Sequence, residues 1–477
     1  MNQVLIIHGW SDTSSSFKPL AKFLQQHGYQ AIPLWLGDYL SLEDDVRVED
    51  VAKRMDVVIN EMLNAGTLTK PFDIIVHSTG GLVAREWISA QFSNDISLCP
   101  AKRLIMLAPA NFGSKLAAMG KSMLGRVVKG WGNWFHTGTE MLNALELGSP
   151  YQWGLAQRDL FVPEDATKAP ALYGKGAVWP FVIVGSHGYP GTLMNIVNED
   201  GSDGTIRAAA ANLNARGITI NFADDEQAPT VTPWKLRHQG EFPLAVLPDR
   251  DHSSVINPNK NEIKSRAPYN ERLGELILQA LACDSDAQYN TIAKSWEGIC
   301  EETARVPDDQ PLRQAIFRKD IDKAWFHQYL QVNVRVEDDH GNEVEDYFLE
   351  FFGPEEEQGD ASSIYFHKEV LEDVHVNKLN RSHRCLYIDR TDLYNNYYRM
   401  LPDTLHKVLN MSLSATPPGG NVSYFGNYKE GAKGTLPIHF EQQSKDQQRW
   451  LKRNSTHFVK IVIPRTPKDK VFKIKRA

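Results

Sequence analysis

Residues 72–85 read Phe-Asp-Ile-Ile-Val-His-Ser-Thr-Gly-Gly-Leu-Val-Ala-Arg. The β-branched run at 74–76 predicts a buried strand, and the residues after the glycine pair have helical composition. Ser78 therefore lies at the apex of a tight turn between a strand and a helix. This arrangement is typical of a nucleophile elbow, in which a strained backbone presents a serine hydroxyl above the carboxyl end of a sheet.

The residues that flank Ser78 partly match the Gly-x-Ser-x-Gly pattern of such elbows. Gly80 occupies the trailing glycine position, where strand and helix pass too close for a side chain. Val76 stands where the leading glycine belongs, and it fits if the helix lies slightly farther away. The alternative interpretation is a buried strand followed by a helix that Ser78 caps, since serine is a favoured N-cap residue.

Composition places the chain among multidomain globular proteins. It has 477 residues, of which 42% are hydrophobic and 23% are charged. The net charge of -7 gives no global signal for nucleic-acid binding. The four cysteines have no metal-type spacing, and a disulfide between Cys283 and Cys300 is left open as an alternative.

The beginning of the sequence bears on where the chain is made. Residues 1–3 lead directly into an apolar strand at 4–7, without the basic and cleavable apolar segments of a signal peptide. No uninterrupted apolar run approaches the roughly 20 residues of a membrane span. We therefore expect a cytoplasmic chain without a transmembrane segment, and any export would use a route that needs no signal peptide.

Short apolar strands alternate with amphipathic helices through the first 300 residues. The predicted strands lie at 4–7, 30–34, 74–76, 104–107, 181–184, 218–222 and 244–247. Alternation at this spacing predicts a parallel sheet with helices on both faces. Functional side chains of such sheets lie at the carboxyl ends of strands, which is where Ser78 and the segment His8-Gly9-Trp10 occur.

An insertion at residues 112–178 interrupts this alternation. It contains apolar side chains separated by glycines: Met119, Met123, Leu124, Val127, Val128, Trp131, Trp134 and Phe135. One interpretation is a set of helices that pack on the core. The other is a cap or lid that overhangs the strand ends.

Beyond residue 300 the sequence pattern changes from α/β to mostly β. Strands are predicted at 332–336, 344–352, 385–388 and 459–463. We expect a catalytic domain over 1–300 and a β-rich, sandwich-like accessory domain over 301–477. The segment from Arg449 onward is basic and has Asp469 as its only acidic residue, which suits either the charged rim of a terminal strand or contact with an anionic membrane surface or partner.

A serine nucleophile needs a base, and the base needs an acid that sets its tautomer. In hydrolases with this elbow the chain order is Ser, then Asp or Glu, then His. His252 follows the last predicted strand and is the expected base, with His187 and His238 as rivals.

The expected acid lies in the loop after the strand at 181–184. Asp203 stands between Ser202 and Gly204, a tight turn that can aim a carboxylate inward. Glu199 and Asp200 are close enough in sequence to compete for the role.

The tetrahedral intermediate also needs two backbone N–H donors. Thr79, which follows the nucleophile, supplies one, and Trp10 supplies the other, with Gly9 allowing close approach of its loop. This mechanism requires no metal and no organic cofactor, and we expect none.

These motifs resemble those of the α/β-hydrolase superfamily, in particular bacterial lipases and related phospholipase-like or deacylase enzymes. The matching segments, which span roughly residues 1–280, are His8-Gly9-Trp10, 76–81, 107–114, Ser202-Asp203-Gly204-Thr205 and Asp251-His252. The resemblance implies a sheet that lacks the first two strands of the full fold. It implies the following roles: Ser78, Asp203 and His252 as catalytic triad, Trp10 and Thr79 as oxyanion donors, and His8, Gly9, His77 and Gly80 as supporting residues.

The expected activity is hydrolysis of a lipid or phospholipid ester through an acyl-enzyme on Ser78. Three alternatives stay open: a small-molecule esterase or acyltransferase with the same triad, a catalytically inactive binding protein on this fold, and a chain whose β domain docks to a membrane or partner. The expected partners are the ester substrate and, through the lid or the basic end, a membrane surface.

Overall fold

The computed structural model describes residues 2–7, 16–34, 44–119, 138–189, 197–225, 229–259, 269–309, 323–353, 356–400, 408–425, 434–439, 451–468 and 471. The strands in chain order are β1 Gln3–Ile7, β2 Gln30–Leu34, β3 Phe72–His77, β4 Ala101–Leu107, β5 Trp179–Gly185, β6 Arg216–Asn221, β7 Thr230–Pro233, β8 Leu244–Leu247, β9 Tyr329–Asp338, β10 Tyr347–Phe352, β11 Leu371–Val376, β12 His383–Asp389, β13 Val408–Ala415, β14 Val422–Tyr424, β15 Gly434–His439, β16 Ser455–Ile463 and β17 Arg465–Pro467. The α-helices are α1 Lys18–Gln26, α2 Val48–Asn64, α3 Gly80–Phe92, α4 Thr139–Leu145, α5 Pro150–Asp159, α6 Ala208–Ala211, α7 Tyr269–Ala282, α8 Asp286–Asp309, α9 Glu356–Tyr365, α10 Arg390–Asp392 and α11 Tyr398–Met400. Short 3₁₀ segments lie at Ile96–Leu98 and Lys323–Phe326, and π-helical turns lie at Phe366–Val370 and Leu393–Tyr397.

The chain divides into two structural units. The first consists of Met1–Asn214 and Leu236–His327, and the second of Ala215–Lys235 and Gln328–Ala477. This division differs from the single boundary expected at residue 300. Helix α8 spans that point and belongs to the first unit, where its Thr303 hydroxyl donates to the carbonyl of Val246, in β8, at 2.6 Å.

The first unit contains a parallel sheet with the strand order β2-β1-β3-β4-β5-β8. Every residue of β1, β3 and β5 is buried. Continuous apolar runs are typical of strands in a parallel sheet, because such sheets are covered on both faces. The predicted α/β sheet is therefore confirmed.

Strand β6 does not belong to this sheet. The alternation of strands and helices predicts the strand at 218–222 as part of the catalytic domain, but β6 pairs in parallel with β16 and antiparallel with β7, in the second unit. Ile218, Ile220 and Phe222 pack in the core of that unit. The local pattern predicts the strand correctly, but it contains no information about the sheet that the strand joins.

The second unit is mostly β, as predicted. One sheet has the order β11-β12-β9-β16-β6-β7, and another has the order β10-β13-β15. Both sheets supply side chains to a shared core, including Val334 and Ile461 from the first, and Leu349 and Leu413 from the second. Two sheets whose side chains share one core match the expected sandwich-like arrangement.

The described part of the insertion at 112–178 contributes to the core of the first unit. Trp153 and Leu155 of α5 are buried. Asp159, at the end of α5, binds the guanidinium of Arg85 in α3 through bonds of 2.8 and 3.0 Å, and the Tyr173 hydroxyl donates to the same carboxylate. The apolar residues that suggested a lid, Met123, Leu124, Val127, Val128, Trp131, Trp134 and Phe135, lie outside the described residues.

The basic C-terminal segment is partly neutralised within the second unit. Lys460 pairs with Glu337 at 3.0 Å, and Arg465 pairs with Asp338 at 3.0 Å. Residues 472–477 lie outside the described residues. Within the described ranges, no helix combines the length and apolar character needed to cross a membrane.

The buried His457 in β16 predicts a pH dependence of stability. Burial, reinforced by the nearby Arg216, lowers the pKa of His457 to about 3. Because an unfolded histidine binds a proton near pH 6.5, stability is lost as the pH falls from about 6.5 towards 3. We expect His457→Gln to reduce this loss by about 1.4 kcal/mol per pH unit, measured by urea unfolding between pH 7.5 and 5. An unchanged pH dependence in the variant would contradict the prediction.

Candidate active site

Ser78 has the backbone conformation of an elbow. Its φ is +53°, a left-handed value that residues other than glycine rarely adopt. Its N–H donates to the carbonyl of Leu107 at 3.1 Å, and its own carbonyl accepts from Ala110 N–H at 3.1 Å. Thr79, not Ser78, is the N-cap residue of α3, so the alternative interpretation of Ser78 as a helix cap is wrong.

Close packing around the turn explains why residues 80 and 81 are glycines and why Val76 can stand in place of the leading glycine of the elbow pattern. A Cβ added to Gly80 would lie 3.2 Å from the carbonyl oxygen of Ile7 and 3.3 Å from the Cβ of Val76. Val76 is tolerated in the leading position because Gly80 has no side chain facing it. The closest approach is at Gly81, where an added Cβ would lie 2.6 Å from the Cβ of Pro109.

The contact at Gly81 yields a stability prediction. In an exposed helix, replacing glycine by alanine stabilises by about 1 kcal/mol. For Gly81→Ala we expect the opposite sign, because the new methyl group overlaps Pro109 and displaces the loop after β4. Gly298→Ala in α8 is the matched control, since no atom lies within 4 Å of its added Cβ. Thermal unfolding of both variants tests this, and equal shifts in Tm would contradict it.

The structure brings together the three residues of the predicted triad. His252 Nε2 lies 3.1 Å from Ser78 Oγ, and His252 Nδ1 lies 2.9 Å from Asp203 Oδ2. The second carboxylate oxygen of Asp203 accepts the N–H groups of Thr205 at 3.0 Å and Ile206 at 2.7 Å. Asp203 and His252 are buried, whereas Ser78 is half-buried. This arrangement can remove a proton from the serine and stabilise the imidazolium that forms.

The rival histidines have other surroundings. The ring of His187 packs edge-on against Trp325, with centroids 5.3 Å apart. The ring of His238 lies against Phe242, with centroids 4.1 Å apart. Cys283 and Cys300, both in the described part of the chain, are not joined by the alternative disulfide.

Glu199, a rival for the acid, is engaged by two cations. Its carboxylate accepts two bonds from Arg207, at 2.7 and 2.8 Å, and one from Lys115 at 2.9 Å. Burial alone would raise the pKa of Glu199, but the two cations outweigh it and lower that pKa. The ion pair between Glu199 and Arg207 therefore joins the two ends of the turn that contains Asp203.

Removing the ion pair between Glu199 and Arg207 should destabilise the first unit. Glu199→Gln leaves the buried Arg207 without its carboxylate, a change that typically costs about 3–5 kcal/mol. Because the folded pKa of Glu199 is lowered, its stabilisation is present above the unfolded pKa of about 4.3 and is lost as the pH falls through the folded value. We expect urea unfolding at pH 7 to show the full loss.

The control for that experiment is Glu140→Gln, which removes an exposed pair with Arg47. Exposed pairs contribute about 0–1 kcal/mol, so this variant should remain close to the wild type. Equal stabilities of the two variants would show that the Glu199–Arg207 pair does not hold the turn.

Two further side chains support the acid turn, and the sequence pattern does not predict this role for them. The Tyr189 hydroxyl bonds Thr205 Oγ1 at 2.7 Å, and the Ser114 hydroxyl donates to the Thr205 carbonyl at 2.8 Å. Gly204, with φ +90°, lets the Tyr189 ring approach. No local signal in the sequence identifies these partners, because they come from the loops after β4 and β5.

The predicted oxyanion donors differ in how far the structure describes them. Thr79 is buried, and its N–H lies at the N-terminus of α3, where N–H groups have no intrahelical acceptor and favour negative charge. His8, Gly9 and Trp10 lie outside the described residues. Their roles therefore stay predictions.

Comparison with known proteins agrees with this fold. Phospholipase PlaB from Legionella pneumophila matches in two solved structures, one of them in complex with thio-NAD. In both, 25% of residues are identical, the alignment covers 100% of this chain and 96% of that chain, and the TM-score is 0.79. No curated protein matches the chain. The family described as "Alpha/beta hydrolase family" matches residues 4–260. The chain therefore belongs to the alpha/beta hydrolase family.

Proposed function

We propose that this chain is a serine carboxylic-ester hydrolase that acts on lipid esters and forms an acyl-enzyme on Ser78. The observation that carries the proposal is the continuous line of hydrogen bonds from Ser78 Oγ through the His252 ring to Asp203. A hydroxyl in contact with an imidazole that a carboxylate orients is the usual arrangement of an activated serine.

In the first half-reaction Ser78 Oγ attacks the ester carbonyl carbon, and its proton passes to His252 Nε2. Asp203 keeps the proton of His252 on Nδ1 and stabilises the imidazolium. The N–H of Thr79 donates to the oxygen on which negative charge develops, together with the predicted donor Trp10. When the carbon–oxygen bond of the ester breaks, His252 gives its proton to the leaving alcohol.

In the second half-reaction water takes the place of the alcohol. His252 removes a proton from the water, whose oxygen attacks the acyl carbon, and then returns a proton to Ser78 Oγ. The products are a carboxylic acid and a free enzyme. An acyltransferase would differ only in using a second alcohol instead of water.

The lipid part of the proposal rests on similarity to a phospholipase across both units of this chain. The match to phospholipase PlaB covers 100% of this chain, and so both of its units, and 96% of that chain. We therefore propose a phospholipid or another lipid ester as substrate in preference to a small soluble ester.

The test combines active-site labelling with substrate preference. The full chain should react with a fluorophosphonate, and peptide mass spectrometry should place the adduct on Ser78. Hydrolysis of p-nitrophenyl esters from short to long acyl chains, and of phospholipid vesicles, should favour long chains or vesicles. Preference for short soluble esters would replace lipase by esterase. No labelling and no hydrolysis would leave a binding protein on a hydrolase fold.

A further inference from the structure

His77 stands immediately before Ser78, at the end of β3, and is 1% exposed. Its Nε2 lies 3.0 Å from the backbone carbonyl oxygen of His252. A carbonyl oxygen can only accept, so His77 Nε2 carries the hydrogen and donates it. The proton on Nε2 therefore links the strand of the nucleophile to the loop of the base.

The His77 ring is also confined by two aromatic contacts. Its centroid lies 4.6 Å from that of His252, with the planes tilted by 39°. On another side it meets Phe17 in an edge arrangement, with centroids 5.9 Å apart. Both contacts restrict rotation of the ring, and with it the direction of the Nε2–H bond.

Together these bonds attach His252 to each of its partner segments at two points. The pair His77–Ser78 contacts the carbonyl and the Nε2 of His252. Asp203 contacts the other side, accepting the backbone N–H of His252 at 2.9 Å and the Nδ1 hydrogen. Two-point attachment determines both where the backbone of His252 lies and how its ring is turned.

We infer that His77 is a positioning residue, which holds the backbone of His252 so that Nε2 stays on Ser78 Oγ. This inference rests on the proposed function. Without this donor, the carbonyl of His252 loses the hydrogen bond from His77, a change that favours a shift of the loop towards other donors. A displacement of about 1 Å at a catalytic base typically costs about 100-fold in rate.

The test compares two variants of equal side-chain length, His77→Gln and His77→Met, in the full chain. Both remove the imidazole ring, but only glutamine retains an N–H donor. We expect His77→Met to lower kcat and the rate of fluorophosphonate labelling by about 100-fold with KM nearly unchanged. His77→Gln should recover at least about 10-fold of that loss, at a similar Tm. Phe92→Leu, which removes an aromatic contact with Trp87 at the C-terminal end of α3, should retain near wild-type kcat.

Equal kcat values for the glutamine and methionine variants would overturn the inference. A measurement on the wild type does not depend on how the variants fold: ¹⁵N chemical shifts of the His77 ring should report hydrogen on Nε2, and hydrogen on Nδ1 alone would also overturn it. Failure of the proposed function has a different signature, namely a wild-type chain in which Ser78 is not labelled at all.

Discussion

Ser78→Ala is expected to abolish ester hydrolysis, lowering kcat by about 10⁵–10⁶-fold, because it removes the atom that forms the acyl-enzyme. The fold should survive the change. The hydrogen bonds that hold the turn involve the backbone N–H and carbonyl of Ser78, which alanine keeps. Among the described residues, the bond that is lost is the one from Oγ to His252.

The measurement is kcat on the preferred ester, with Tm as a check on folding. Ser93→Ala is the matched control, because it removes a hydroxyl at the C-terminal end of the same helix, α3. We expect Ser93→Ala to keep wild-type kcat and Ser78→Ala to lose fluorophosphonate labelling. Residual activity of Ser78→Ala within about 100-fold of the wild type would exclude Ser78 as the nucleophile.

Asp203→Asn is expected to have the second-largest effect, a fall in kcat of about 10⁴-fold. An asparagine can keep the acceptor for the N–H groups of Thr205 and Ile206 and so preserve the turn. Its NH₂ group would then face His252 Nδ1 and favour the tautomer with hydrogen on Nε2. In that tautomer His252 cannot accept the proton of Ser78.

Asp200→Asn is the control for this variant, since it removes a carboxylate from the same loop. We expect Asp200→Asn to keep near wild-type kcat, because it leaves the bond between Asp203 and His252 Nδ1 in place. If instead Asp200→Asn loses activity and Asp203→Asn does not, the acid has been assigned to the wrong residue. Measuring both on one soluble ester separates catalysis from vesicle binding.

Much of the first unit was predictable because its signals are local. Residues 72–85 encode a strand, a turn and a helix in one short segment, and the order Ser78, Asp203, His252 follows the order of the strands. A parallel sheet places the carboxyl ends of its strands at one edge, so residues that follow different strands meet there. The sequence alone therefore indicated that Ser78 and His252 meet at this edge with an acid from the loop after β5.

Other features were decided only by contacts between distant segments. The choice between Asp203 and Glu199 depends on Arg207 and Lys115, whose charges occupy the rival carboxylate. The supports from Tyr189 and Ser114 likewise reach the acid turn from other loops.

Short-range patterns are enough to predict where the strands and the turn of the nucleophile lie, because periodicity and glycine spacing act over a few residues. The pairing of β6 with β16, more than 200 residues away, depends on tertiary structure. Because of this pairing, β6 does not join the parallel sheet that contains β5 and β8, although it lies between them in the chain. Tertiary structure also decided that His77 reaches the carbonyl of His252. Hydrogen bonding and burial select such partners in three dimensions, and no short-range pattern records the selection.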